Sequence, residues 1–426
     1  MAKILVCADG FFRAFSPFGL EPYIESFIDV LVRNGNEVLT YIDQDFKVKH
    51  KLKRKYINYK TRQEIKKFNP DLIIAFNNAI NPVLVEKLHA PILIVASDTP
   101  VYWHHKDFIK NNNSRYSVAY LNNDMADTLR DEYGIPLHKQ VLIPYSTDIH
   151  ANNKITPKYD ISFVGNFYNC EPFLADMFIN KLYSGANKNK LKSIFVKIID
   201  EVEQSKCKNA KVKKAIQELQ DISGCKIDDD VFMSNVFSLL TAKTRTNLLY
   251  SLIDMDLHIW TWSGGLRCLT TDYDLFKKCE TTPIYSVSGN QEVYNNSCIS
   301  LNMPHAQVNT GFSWRVCDIL ASNALLISNP SKDLDRLFGG IIPTYNNADE
   351  LRAKVEYYLS HDKERQEIIK KCQKIIDKNH RFENVLAILE NFTRYKLLNL
   401  GLDGKTILLS RTKKLQNKYN KDKKGK

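Results

Sequence analysis

The chain has 426 residues, of which 44% are hydrophobic and 25% charged, and its formal net charge is +12. This composition is ordinary for a globular protein, and the length indicates two or three domains. No apolar run approaches the roughly 18 residues of a membrane-spanning helix, and the amino-terminal MAKILVCADG lacks the apolar block of a signal peptide. We therefore expect a cytoplasmic protein.

The first third alternates between apolar strands and amphipathic helices. KILVCA and NEVLTYID are strands around the helix PYIESFIDVLVRNG, and DLIIAFN, PILIVAS, SVAYLNN and KQVLIPY follow with helices between them. Unbroken apolar runs indicate strands buried on both faces, and intervening helices require parallel pairing. Residues 1–150 are predicted to form a doubly wound α/β domain.

The polar segment STDIHANNKITPK marks a domain boundary before the strand YDISFV. From about 171 to 254 only helical patterns occur, which predicts a helical insertion. DLHIWTWS, PIYSVS, SCISLNM, ALLIS and GIIPTY then predict a second parallel sheet over residues 255–345. We expect the two domains to face a cleft lined by loops at the carboxyl ends of their strands.

The stretch GFSWRVCDILASNALLIS predicts a short helix that begins around Ser313 and ends with Asn323 in a left-handed cap position. If the helix amino terminus faces the cleft, its N–H groups favour a phosphate, and Arg315 adds a cation. The carboxylate of Asp318 could accept two ribose hydroxyls. The alternative is an exposed ion pair between Arg315 and Asp318, one helical turn apart.

Four segments carry a resemblance to a known family: YDISFVGNF, YNNSCISLNM, GFSWRVCDILASNALLISNPSKDLDRLFGG and TYNNADELRAKVEYYLSHDKERQEI. In order and spacing they resemble the group 1 glycosyltransferases, most closely the branch that contains the spore-maturation protein CgeB. The match covers about residues 160–385, apart from the helical insertion. SDTP, at residues 97–100, resembles a turn of the amino-terminal domain in that branch.

This resemblance implies a GT-B fold, in which two Rossmann-like parallel-sheet domains face a cleft. The acceptor domain would span residues 1–150 and the donor-nucleotide domain 157–400, followed by a basic tail at 401–426. The resemblance also implies a nucleotide-diphosphate sugar as co-substrate, with no cofactor and no obligatory metal. Asp318 falls at the second position of the family's E-x7-E pair, and Thr310 stands where many members have a Glu.

Further candidates surround these positions. On the donor side they are Arg267 with Gly264 and Gly265 in the loop SGGLR, His305 after LNM, and the turn residues Thr310, Gly311 and Phe312. On the acceptor side, Asp98 or His104 could accept the proton of the acceptor hydroxyl, and the loop with Gly10, Arg13 and Gly19 suits acceptor contact. Ordinary structural roles are the alternative for Arg267 and for each histidine.

Two segments hold most of the positive charge. Lys47–Lys67 contains ten Lys and Arg against Glu64, and Arg411–Lys426 contains eight against Asp422. Such clusters attract anionic lipid or nucleic acid through phosphate charge, or they are a solvated face and a disordered tail. The nine cysteines are scattered and show no zinc spacing, so we expect free thiols.

The sequence therefore predicts a glycosyltransferase that moves a sugar to a surface-glycan, lipid-linked or protein acceptor. The basic segments would hold it at the anionic inner face of the cell membrane. The alternative is a binding protein without catalysis, which either has a silent GT-B fold or binds nucleic acid through its basic segments. No specific nucleic-acid signature is present.

Overall fold

The structure, a computed structural model, describes most of the chain. The described residues are 1–9, 20–43, 57, 59–100, 103, 105–123, 125–167, 188–203, 208–224, 229–261, 265–266, 269, 272–282, 284, 286–306, 311–399 and 401–410. They divide into two compact units. The first comprises the described residues of Met1–His150, Tyr285–Gln291 and Gln373–Lys426, and the second those of Ala151–Ile284 and Glu292–Cys372.

The helices and strands are numbered here in chain order. The strands are β1 Lys3–Asp9, β2 Glu37–Asp43, β3 Leu72–Phe76, β4 Ile92–Ala96, β5 Tyr116–Tyr120, β6 Gln140–Leu142, β7 Tyr159–Val164, β8 Leu257–Trp260, β9 Ser297–Asn302, β10 Leu325–Ser328 and β11 Lys405–Ser410. The helices are α1 Pro22–Arg33, α2 Tyr59–Phe68, α3 Pro82–Lys87, α4 Lys106–Asn111, α5 Met125–Tyr133, α6 Lys188–Glu203, α7 Lys208–Ser223, α8 Asp229–Tyr250, α9 Tyr273–Lys277, α10 Val287–Asn295, α11 Trp314–Leu320, α12 Lys332–Phe338, α13 Ala348–Ser360, α14 Asp362–Asn379 and α15 Phe382–Thr393. Two short 3-10 turns, Asn113–Arg115 and Leu137–Lys139, precede β5 and β6.

The first unit is built on a seven-stranded sheet with the order β11-β2-β1-β3-β4-β5-β6. Every described pairing in it is parallel. Apolar residues from one face pack with α2, α3, α4 and α5 in a single buried cluster. Phe27 of α1 packs edge-on against Phe76 and Phe382, at ring distances of 5.5 and 6.0 Å. Strands β3 and β4 are buried along their whole length, as expected for a doubly wound sheet that is covered on both faces.

The second unit has a four-stranded parallel sheet with the order β10-β9-β7-β8. Its core joins apolar residues of all four strands to those of α13 and of the segment that follows α8. Helices α6, α7 and α8 lie within the range predicted as a helical insertion. They share a buried cluster of their own, which includes Phe195, Val212, Ile216, Phe232 and Val236.

Several predicted elements differ from the structure. No described residue of PIYSVS is in a strand: Ser286 accepts a hydrogen bond from Gly289 N at 3.0 Å, and helix α10 starts here instead. GIIPTY forms only an isolated bridge between Thr344 and Ser328, because Pro343 has no N–H for a ladder. Short apolar runs do not distinguish these outcomes by periodicity.

The carboxyl-terminal residues also depart from the predicted domain limits. The prediction placed residues up to 400 in the second domain and 401–426 in a tail. In the structure, residues 373–399 belong to the first unit, and β11 pairs with β2 from Lys405↔Glu37 to Ser410↔Ile42. Strand pairing over this sequence separation depends on tertiary contacts that a local pattern does not encode. Within the ranges that the structure describes, none of the helices has the length and hydropathy of a transmembrane span.

Candidate active site

Polar residues gather at the carboxyl ends of β9 and β10 in the second unit. Asn302, which is 1% exposed, ends β9, and its Nδ2 donates to Ser328 Oγ at the end of β10 at 2.8 Å. Its Oδ1 accepts from Ser313 Oγ at 2.9 Å and lies 3.5 Å from Arg315 Nη1. Asn302 therefore connects the ends of two neighbouring strands to the start of helix α11.

Helix α11 begins at Trp314 with Ser313 at its amino-terminal cap, close to where the sequence predicted it. Arg315 and Asp318 are both half-buried, and both interact with the buried hydroxyl of Tyr294. Burial raises the pKa of Tyr294, and the charges of Arg315 and Asp318 act on it with opposite signs. The charges of both side chains therefore act on the same buried hydroxyl.

The predicted left-handed cap at Asn323 is wrong. Asn323 is not among the residues with positive φ, and the helix ends at Leu320 with Ala321 in a right-handed conformation at φ −86°. Asn323 instead donates its backbone N–H to Asn295 Oδ1 at 3.0 Å and its side-chain amide to Asn152 O at 2.7 Å. Tertiary hydrogen bonds replace the local cap.

The turn before α11 is anchored through its backbone. Gly311 has φ +78°, a conformation that favours glycine, and its N–H donates to Asp333 Oδ2 at 2.7 Å while its carbonyl accepts from Ser331 Oγ at 2.8 Å. Phe312 is buried, with its ring 6.3 Å from that of Phe338. Both predicted donor-binding residues are therefore structurally engaged, and Phe312 is part of the core.

A buried arginine from helix α8 holds two loops of this edge together. Arg245 is 3% exposed, and its Nε and Nη2 donate to Met303 O at 3.0 and 2.5 Å. Its Nη1 donates to Asn166 O, after β7. Sequence reasoning missed Arg245, although a cation within the apolar pattern LLTAKTRTNLLYSLI is an available signal.

His305 follows β9 in one of the loops that Arg245 holds. Burial, and secondly the charge of Arg245, lowers the pKa of His305 to about 3. Next to it, Ala306 N donates to Thr241 Oγ1 of α8 at 2.9 Å. At neutral pH His305 is uncharged, so it cannot supply positive charge to a phosphate.

Gly265 lies where a side chain cannot fit. A Cβ atom at this position would stand 2.1 Å from Thr261 Oγ1, just beyond the end of β8. The backbone of Gly265 thus lies against the Thr261 side chain, which favours glycine at this position. Gly264, Arg267 and Thr310 lie outside the described residues.

In the first unit, Asp98 follows β4 and is half-buried. Trp103 Nε1 donates to Asp98 O, and Asn77 Nδ2 donates to Asp98 Oδ2, both at 3.0 Å. His104, Gly10, Arg13 and Gly19 lie outside the described residues. The same holds for Arg411–Lys426 and for much of Lys47–Lys67, of which the structure describes residues 57 and 59–67.

Comparison with known proteins gives a family match and a fold. Residues 266–391 match the family model described as glycosyl transferase-like. Sucrose-phosphate synthase from Thermosynechococcus elongatus is similar in structure, with a TM-score of 0.52 and 9% sequence identity over 92% of this chain and 98% of the other. This chain has the GT-B fold.

Two further solved GT-B proteins align over most of the chain. HepE from Anabaena, solved in complex with UDP-glucose, has 11% identity, covers 93% of this chain and 100% of its own, and gives a TM-score of 0.49. A glycosyltransferase from Rickettsia africae has 13% identity, covers 93% and 98%, and gives a TM-score of 0.46. No curated protein sequence matches this chain.

The GT-B architecture confirms the predicted fold class of two Rossmann-like parallel-sheet domains. The family match and the fold together support the prediction that the chain is a glycosyltransferase. The matched segment includes His305, Gly311, Phe312, Arg315 and Asp318, whereas Arg245 and Asp98 lie outside it. The roles of these residues remain predictions.

Proposed function

We propose that this GT-B glycosyltransferase transfers a sugar from a nucleoside-diphosphate sugar that binds at the carboxyl edge of the second unit's sheet. The observation that carries the proposal is the cluster around Asn302, which lies in the glycosyl transferase-like segment and collects Ser313, Ser328 and Arg315. In open α/β sheets, ligands bind beyond the carboxyl ends of the strands. This edge is therefore the best-supported donor site.

The chemistry assigned to the site follows the charge that develops during transfer. As the anomeric C–O bond breaks, negative charge grows on the leaving diphosphate, and Arg315 is the cation placed to neutralise it. Asp318 would accept hydroxyls of the ribose. In the first unit, Asp98 would accept the proton of the acceptor hydroxyl while that oxygen bonds to the anomeric carbon.

Metal independence is part of the proposal. Its support is the resemblance to group 1 glycosyltransferases and the presence of Arg315, a cation that can take the place of a metal at the diphosphate. Including EDTA in every binding and turnover assay tests it directly.

The proposed acceptor is a surface-glycan, lipid-linked or protein acceptor. An anionic membrane surface is a further proposed partner. Helix α2 supports it, because Lys60, Lys66 and Lys67 are exposed on this helix, which follows the rest of the basic segment in sequence. We expect the protein at the inner face of the cell membrane.

Isothermal titration with UDP, GDP, CDP and dTDP in EDTA tests the donor site. We expect one nucleotide to bind in the micromolar range. Asp318→Ala should weaken it about 10- to 100-fold, since hydrogen bonds to a charged group contribute about 1.5–3 kcal/mol.

Asp349→Ala is the matched control, because Asp349 is an exposed carboxylate on α13 in the same unit. If none of the four nucleotides binds, the alternative of a silent GT-B-fold or nucleic-acid-binding protein is favoured. Equal weakening by the two substitutions would remove Asp318 from the donor site.

A further inference from the structure

The turn after β3 in the first unit has an unusual backbone. Asn77 and Asn78 both adopt positive φ, 47° and 57°. Left-handed backbone is uncommon for residues other than glycine, although Asn tolerates it better than most. Two such residues in succession indicate a turn whose shape is imposed by its surroundings, a feature that clusters at functional sites.

The side chain of Asn77 reaches the turn that follows the neighbouring strand. Strands β3 and β4 pair in parallel up to Phe76↔Val95, so both turns lie at the same edge of the sheet. Asn77 Oδ1 accepts from Ser97 N at 2.9 Å and from Asp98 N at 3.0 Å. Its Nδ2 donates to Asp98 Oδ2 at 3.0 Å.

In this turn, two different residues cap the backbone N–H groups and present a carboxylate: Asn77 does the first and Asp98 the second. A carboxylate in a turn commonly caps the backbone N–H groups of its own turn. Here Asn77 takes the N–H groups of Ser97 and Asp98, and a second atom of the same amide holds the Asp98 carboxylate. The carboxylate is thereby oriented by a neighbouring strand.

Two aromatic residues hold the same turn from other directions. Trp103, which is buried, donates from Nε1 to Asp98 O at 3.0 Å. The hydroxyl of Tyr23 donates to Ser97 Oγ at 2.7 Å. The two aromatic residues therefore contact the Ser97 hydroxyl and the Asp98 carbonyl, while Asn77 also contacts the carboxylate itself.

We infer that Asn77 is a positioning residue for Asp98, and that it sets the orientation in which this carboxylate accepts the acceptor proton. The inference rests on the proposed function, in which Asp98 is the proton acceptor. A general base has to lie within hydrogen-bonding distance of the proton it removes, and a misplacement of about 1 Å lowers rates about 100-fold. Asn77 itself touches no reacting atom.

Asn77→Gly is the test variant, because glycine keeps the left-handed backbone and removes only the amide. Asn69→Gly is the matched control: Asn69 is exposed, lies in the same unit and also has a positive φ of 49°. Turnover is measured with UDP-glucose, GDP-mannose, CDP-glucose and dTDP-glucose as donors and water as acceptor, through the nucleoside diphosphate released.

For Asn77→Gly we expect kcat to fall about 10- to 100-fold with the donor KM unchanged, as for a lost orientation. Asn69→Gly should behave like the parent chain. In the background of Asp98→Ala, adding Asn77→Gly should change kcat less than about twofold, because the two residues act as one unit.

Different results of this experiment refute the proposed function and the positioning role of Asn77. A parent chain that releases no nucleoside diphosphate from any donor overturns the proposed function and this inference with it. Two outcomes with an active parent chain leave transfer intact and refute the positioning role. In the first, Asp98→Ala is as active as the parent chain. In the second, Asn77→Gly slows the Asp98→Ala variant as much as it slows the parent chain. Equal kcat for Asn77→Gly and Asn69→Gly refutes the positioning role as well.

Discussion

The character of a titratable residue at this site depends on its neighbours more than on its type. His305 was predicted as a donor contact on the basis of its place after β9. Burial and the charge of Arg245 keep it neutral, with its pKa lowered to about 3. Any contact it makes with a donor is therefore that of a neutral imidazole, and phosphate charge has to be met elsewhere.

The lowered pKa of His305 predicts how stability depends on pH. Its folded-state pKa lies below the unfolded value of about 6.5, so its contribution is complete above pH 6.5 and declines as the pH falls toward 3. From pH 7.5 to 5, we expect His305→Gln to lose less stability than the parent chain, by about 2 kcal/mol.

Thermal melts at the two pH values measure this difference. His89→Gln is the control, because His89 is an exposed histidine of the first unit. His380, which is buried and also has a lowered pKa, keeps part of the acid sensitivity in all three proteins. Equal losses of stability between pH 7.5 and 5 in the parent chain and in His305→Gln would contradict the prediction.

At the scale of elements, helix α8 is the least expected contributor to the site. It belongs to the predicted helical insertion, in which no motif was recognised. Yet its Thr241 and Arg245 hold the loops that follow β7 and β9. The insertion is thus attached to the proposed donor edge through hydrogen bonds to backbone groups.

Arg245→Met should destabilise the protein by about 3 kcal/mol, because charged hydrogen bonds to the carbonyls of Met303 and Asn166 are lost. For a unit of this size, the melting temperature should fall by roughly 6–12 °C. Arg245→Lys should restore little, since an ammonium group lacks the fork geometry.

Lys243→Met is the matched control on the same helix. The Lys243 ammonium pairs with Asp200 Oδ1 at 3.0 Å near the surface, and such pairs contribute less than about 1 kcal/mol. A melting temperature for Arg245→Met within 2 °C of that for Lys243→Met, roughly the effect of 1 kcal/mol or less, would show that the buried guanidinium is dispensable.

At the scale of the whole molecule, the positive charge lies in two segments remote from each other in sequence. Both are attached to the first unit: α2 precedes β3, and Arg411 follows directly after β11. Removal of residues 411–426 leaves β11 and its pairing with β2 intact. The membrane proposal can therefore be tested without disturbing a sheet.

Liposome flotation with and without anionic lipid provides that test. We expect the intact chain to float only with anionic lipid. A chain that ends at Ser410, and a Lys66→Glu/Lys67→Glu variant, should each bind at least about tenfold less, since each basic residue contributes about 1 kcal/mol at the surface. Equal flotation of the intact and shortened chains would remove the tail from the proposal.

Local pattern determined much of this protein. The alternation of apolar runs and amphipathic helices was sufficient to predict two parallel-sheet units, because side-chain periodicity reflects burial within each element. The start of α11 near Ser313 was predicted from the preference for serine at a helix start, although the Ser313 hydroxyl donates to Asn302 and caps no helix N–H. The helices within the insertion were predicted from their period. The same reasoning located the carboxyl ends of β4 and β9, after which Asp98 and His305 stand.

The tertiary structure alone decided which residues meet at those ends. Asn77 reaches Asp98 across 21 residues, Arg245 reaches Met303 across 58, and β11 pairs with β2 from the far end of the chain. A hydrogen-bond partner is chosen by position in space, and buried donors and acceptors take whichever group the packing brings near. Sequence spacing does not show which groups the packing brings together. The helices and strands were therefore predictable, and the hydrogen bonds and strand pairing between distant segments were not.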